Sequence, residues 1–177
     1  MSANQEKRES EDKRVATLRD AIRKAFPVVT YTGRITRHDG GWLHDLTEHS
    51  AIHEDDLFVY QALRGKTWTE VSPGFLRDQP DGFVLLTDAA LPVYLGAWLM
   101  CSLEDIPAEN PVREDVVNSF SGSAHLLRAL NSEQRAALRS LLAFFHDCER
   151  NSYLQQRCAE ALTHLDKLER EFTGFSG

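Results

Sequence analysis

Apolar positions in this chain recur at three- and four-residue spacing, which predicts helices joined by short polar connections. Val15, Leu18, Ile22 and Ala25 mark one face of an amphipathic helix that starts near residue 11 and ends before Pro27. The preceding residues, 1–10, are polar and are expected to be disordered. Val28 to Tyr31 groups β-branched and aromatic residues and reads as a short extended piece. Gly33, Gly40 and Gly41 make the next stretch a loop. A helix over residues 50–64 comes next, with Ser50 as its cap and Glu54, Asp55 and Asp56 near its positive end. Gly65 sits where a left-handed stop residue belongs.

Trp68, Val71, Phe75 and Leu76 supply apolar contacts to a connecting segment in which Pro73-Gly74 opens a short helical turn. Asp81-Gly82 marks another turn, and Thr87 is placed to cap the central helix. Within 89–103, Leu91, Tyr94, Leu95, Trp98, Leu99 and Leu103 point in nearly every direction, the pattern of a helix enclosed by protein. Pro92 requires that this helix either begin later than Thr87 or bend in its first turn. Residues 105–111 form a loop, 112–120 a short helix, and Gly122 an interruption before 124–130. Asn131 with Gln134 makes a capping box for a helix whose wide face carries Leu138, Leu141, Leu142 and Phe145. The last helix, 153–172, places Leu154, Cys158, Ala161, Leu165, Leu168 and Phe172 on a seam of a and d positions. The expected fold is all-α: one compact helical domain over 11–177 around the central apolar helix, with amphipathic terminal helices.

Composition narrows the function classes. The chain has 177 residues, a formal net charge of −7 and no basic run, so it lacks the cationic face a nucleic-acid binder or an anionic-membrane binder requires. The apolar run 89–103 is about fifteen residues, short of the roughly twenty a bilayer crossing needs. The three cysteines, Cys101, Cys148 and Cys158, form no Cys-x-x-Cys pair and no disulfide framework. The N-terminus has no apolar signal core, and the expected compartment is cytoplasmic.

The densest polar cluster runs from His44 to Asp56. His44, Glu48, His49 and His53 are the candidate metal ligands, since His49 and His53 would share a helix face and Glu48 would add an oxygen. A Ser50 cap, however, would leave His49 outside the helix, and the His-Glu-x-x-His pattern is absent. No cofactor is expected. Between His38 and Leu63 there are six carboxylates and no Lys or Arg, which makes Asp45, Glu48, Glu54, Asp55 and Asp56 candidate contacts for a basic protein surface. Gly65-Lys66-Thr67 imitates the tail of a phosphate loop but lacks the upstream Gly, that position being Tyr60. Trp68 is better explained as a packing anchor. Ser121-Gly-Ser123 with His125, and His146-Asp-Cys148, lack the geometry of a nucleophile and its base. The 153–172 seam is expected to pack within the domain, against the N-terminal helix, with a homodimer through the same residues as the alternative to a monomer.

Arg64-Gly-Lys-Thr-Trp68, Ser72-Pro-Gly-Phe-Leu76, Leu85-Leu-Thr87, Tyr94-Leu-Gly-Ala-Trp-Leu99 and Leu130-Asn-Ser-Glu-Gln134 together resemble blocks of an uncharacterised family of small bacterial proteins. The resemblance covers about residues 50–147 and implies a cytosolic, mainly helical protein, with no activity, cofactor or site residue to carry over. It also implies a helix former where this chain has Pro92. The functional expectation is a non-catalytic acidic protein-binding module, in its specific form an immunity or regulatory factor. The alternative is a metal-assisted hydrolase on the His44–His53 cluster, and a structural subunit is the third reading.

Overall fold

A computed structural model describes residues 3–37, 54–104 and 110–174. Within them the chain forms α1 (Ala3–Ala25), α2 (Glu54–Leu63), α3 (Pro73–Asp78), α4 (Leu91–Ser102), α5 (Pro111–Gly122), α6 (Ala124–Arg128), α7 (Ser132–Cys148) and α8 (Ser152–Gly174). Two 3₁₀ turns flank α3: Trp68–Glu70 lies between α2 and α3, and Gly82–Leu85 between α3 and α4. The only β pairing among the described residues is one antiparallel bridge, Thr36 with Leu86. The fold is all-α.

Five helices close a ring: α1 packs on α7, α7 on α8, α8 on α5, α5 on α4, and α4 back on α1. The three-residue connection from Cys148 to Ser152 makes α7 and α8 an antiparallel hairpin. Over the outer side of α4 lie α3 and both 3₁₀ turns, and α2 packs on the second of those turns. This double cover explains why α4 is apolar all round. Leu91, Tyr94, Leu95, Trp98 and Leu99 are at most 1% exposed. The helix starts at Leu91 with Pro92 in its first turn, where a missing N–H costs nothing. Thr87 caps the turn ahead of it, its hydroxyl accepting from the Ala90 N–H at 3.2 Å.

The buried polar ends of α4 are satisfied by long-range partners. The Trp98 indole N–H donates to the Gln79 carbonyl (3.0 Å), and the Tyr94 hydroxyl donates to the Leu63 carbonyl (3.2 Å). At the C-terminus, the Asn110 amide donates to the Cys101 carbonyl (2.9 Å), while the buried Arg113 guanidinium donates to those of Ser102 (3.2 Å) and Glu104 (3.1 Å). These bonds supply partners for carbonyls that a helix end leaves open. Gly96 admits Trp68: a Cβ there would lie 3.1 Å from both the Trp68 ring and Phe26. Trp68 is 4% exposed and its N–H donates to the Phe26 carbonyl at 3.0 Å, so it pins the end of α1 to α4.

Two expectations change. Helix α1 begins at Ala3, because residues 3–10 are rich in Gln, Glu, Lys and Arg, and extending an existing helix needs no new nucleus. The α8 seam packs on α7 and α5 rather than on α1, which occupies the other side of α7. Leu154, Cys158, Ala161, Leu165 and Leu168 are buried in that contact, and only Phe172 is exposed. Ion pairs fasten the rim of the seam: Arg139 with Asp166 (2.6 Å) and Glu169 (3.0 Å), and Arg128 with Glu171 (2.8 Å). Among the described residues no helix is long and apolar enough to cross a membrane.

Candidate functional site

Helix α2 has two faces with different chemistry. Asp56, Val59 and Leu63, at three- and four-residue spacing, are buried. Glu54, Asp55 and Phe58 share the opposite face: both carboxylates are exposed, and Phe58 is 46% exposed. The Phe58 ring rests on Phe75 (centroids 5.6 Å apart), which meets Trp98 edge-on at 6.1 Å. Trp98 in turn meets Phe83 at 5.9 Å, and Phe83 stacks on Phe120 at 5.8 Å. Phe58 is therefore the solvent end of an aromatic chain that runs through the core to α5. The result is an anchored aromatic ring flanked by two carboxylates.

Of the sequence-derived partner contacts, Glu54 and Asp55 lie on this surface. Asp56 does not: it is 6% exposed, heads the buried stripe, and its Oδ1 accepts no hydrogen bond among the described residues. The helix period turns it inward while its neighbours face out. Asp45 and Glu48, and the metal candidates His44, Glu48, His49 and His53, lie outside the described residues, as does the Ser50 cap. Among the described residues no three His, Cys, Asp or Glu side chains converge as a metal site. Sequence reasoning missed Phe58; its signal was the i, i+3/i+4 spacing to two acidic residues.

The phosphate-loop imitation is filled from within. Gly65 takes φ 72° and ends α2. The Glu70 carboxylate accepts from the Thr67 N–H (2.7 Å) and the Thr67 hydroxyl (2.8 Å), and the backbone bond holds its pKa below the usual carboxylate value. Groups that would face a phosphate thus face a carboxylate. Elsewhere, Ser121 donates to the Asn118 carbonyl (2.8 Å), while the His125 ring lies 3.0 Å from the Arg37 guanidinium. Asp147 is paired with Arg14 at 2.8 Å, which lowers its pKa.

A cleft of about 260 Å³ opens between α1, the 68–70 turn, α3 and α4. Its floor is apolar (Trp68, Leu76, Ala97, Met100), and its rim carries Arg23 and Glu104. Glu104 is already engaged by Arg77 at 2.7 Å, and Arg23 by Asp20 at 3.1 Å. The cleft offers apolar contact bordered by charge, and on its wall the Cys101 thiol donates to the Glu104 carboxylate at 3.9 Å.

No family model, curated protein or solved structure matches this chain.

Proposed function

We propose that this protein is a non-catalytic protein-binding module whose contact surface is the exposed face of α2, taking a basic surface on its partner. The observation that carries the reading is Phe58, half exposed yet fixed on Phe75 and flanked by Glu54 and Asp55. Fixed aromatic anchors dominate binding energy because they bury much area with little loss of freedom, whereas rim charges mainly steer encounter and select partners. The net charge of −7 extends that steering field. An immunity or regulatory factor is the specific form we favour, since each acts by occupying another protein rather than by turning over a substrate.

The test is capture from native lysate with the intact chain, Phe58→Ala, and a Glu54→Lys/Asp55→Lys double variant, each at low and raised salt. One partner retained only by the intact chain, and released by salt, supports the reading. A partner held equally by all three removes α2 from the interface. The hydrolase alternative on His44, Glu48, His49 and His53 predicts instead a stoichiometric metal that survives dialysis and raises the melting temperature.

A further inference from the structure

Three arginines of α6 and α7 face the C-terminal part of α8, and only two of them meet an acid. Arg128 pairs with Glu171 (2.8 Å), and Arg139 with Asp166 (2.6 Å) and Glu169 (3.0 Å). Arg135, between them in sequence, meets Phe172 instead, its guanidinium carbon 4.9 Å from the centre of that ring. Arg135 is only 9% exposed, yet it makes no ion pair among the described residues. Glu133, two positions earlier, lines a groove beside Lys24, and residues two apart do not share a helix face. A guanidinium taken out of water without a counter-charge costs free energy that a ring face returns only in part.

The open donors of Arg135 form a fork. Its Nη1 donates to the Leu130 carbonyl, one residue ahead of the Asn131 cap, which folds the guanidinium back onto the start of α7. Nε is buried without a partner, and Nη2 makes no bond among the described residues. Nε and Nη2 present parallel N–H groups, the edge of a guanidinium that takes two oxygens of one oxyanion. The same end of α7 leaves the Ser132 and Glu133 N–H groups unbonded among the described residues, and the helix adds partial positive charge there. Two positive features thus meet at one place with no acid engaged. Phe172 lies over the guanidinium from the last turn of α8, where a helix opens most readily, and is itself 54% exposed. We infer that Arg135 and the N-terminus of α7 form a binding site for an oxyanion of the phosphate class, with Phe172 as its movable cover, independent of the α2 surface.

The experiment titrates the ¹⁵N-labelled full chain with inorganic phosphate, and with chloride at matched ionic strength. Phosphate is expected to shift the Ser132 and Glu133 amides and the Arg135 Nε–H saturably, and chloride to leave them in place. Arg135→Lys keeps the charge but loses the fork, and should weaken phosphate binding at least about tenfold. Phe172→Ala, at an exposed position, uncovers the guanidinium and should tighten binding severalfold. Ser132→Pro removes one N–H at the first helical position, which accepts proline, after an Asn131 that is already extended (ψ 175°). It should weaken binding severalfold while the melting temperature holds. Should Arg135→Lys fail to fold, Ser132→Pro and Phe172→Ala decide the matter. Equal shifts with chloride, binding unchanged by these substitutions, or no saturable shift at tens of millimolar phosphate overturn the inference.

Discussion

Helices α4 and α8 reach the same backbone state by opposite routes. Helix α4 has twelve residues, not one of them charged, and nine are buried. A helix this short is marginal alone in water, so it exists because protein encloses it on every side. Helix α8 has twenty-three residues and buries one seam, while its remaining faces carry Gln, Lys, Arg, Asp and Glu in water. Local pairs such as Arg157–Glu160 (2.6 Å) and ion pairs to α7 support it along its length. The central helix thus depends on the whole domain, and the terminal one on a single contact surface. The exposed aromatic ring Phe58, on α2, and the exposed Val28 and Val29, after α1, lie on neither.

The sharpest way to break this comparison is Trp98→Ala. It removes the largest fully buried side chain, its edge contacts with Phe75 and Phe83, and its hydrogen bond to the Gln79 carbonyl. The expected loss is about 4 kcal/mol, read from chemical denaturation, with α2, α3 and the ring helices losing stability together. A loss below about 1 kcal/mol would mean that α4 is not the element on which the others rest.

Leu165→Ala, in the α8 seam, should cost about 3 kcal/mol. Its effect should be confined more to α8, and thiol labelling reads that difference. Burial, with a smaller contribution from Glu149, pushes the Cys158 thiol up to about 12, so it should stay unreactive at pH 8 in the native protein. In Leu165→Ala under mild denaturant, Cys158 should label before Cys101, which sits in α4. Simultaneous labelling would show that both helices open as one unit.

The smallest effect is expected at Asp115, in α5. Burial raises its pKa, with Asp81 and Glu114 adding repulsion. A carboxyl whose folded pKa is raised contributes stability that is fully present below the unfolded value and lost as pH rises through the folded value. Asp115→Asn should therefore stabilise the protein at pH 7, by less than about 1 kcal/mol, and the gain should vanish at pH 3. A variant equally stabilised at both pH values would assign the effect to packing or helix propensity instead of charge.

Much of the fold was legible in the chain because the relevant signals act over a few residues. Gly65 as a left-handed stop and Asn131 with Gln134 as a capping box both appear in the structure: Gln134 N–H donates to the Asn131 side chain at 2.9 Å. The encirclement of α4 and the α8 seam were visible too, since periodicity states which sides of a helix avoid water. Val28–Tyr31, read from the sequence as an extended piece, carries no strand, turn or bend in the structure. Periodicity does not state what covers a face. That α7 and α5 cover the α8 seam, that Asp56 turns inward while Glu54 and Asp55 face out, and that Trp68 reaches across 42 positions to the Phe26 carbonyl were decided by packing. The Arg113 clamp on the end of α4 belongs to the same group. Its stretch of sequence reads only as an ordinary helix start, and its role exists because the fold brings buried carbonyls within reach of a guanidinium.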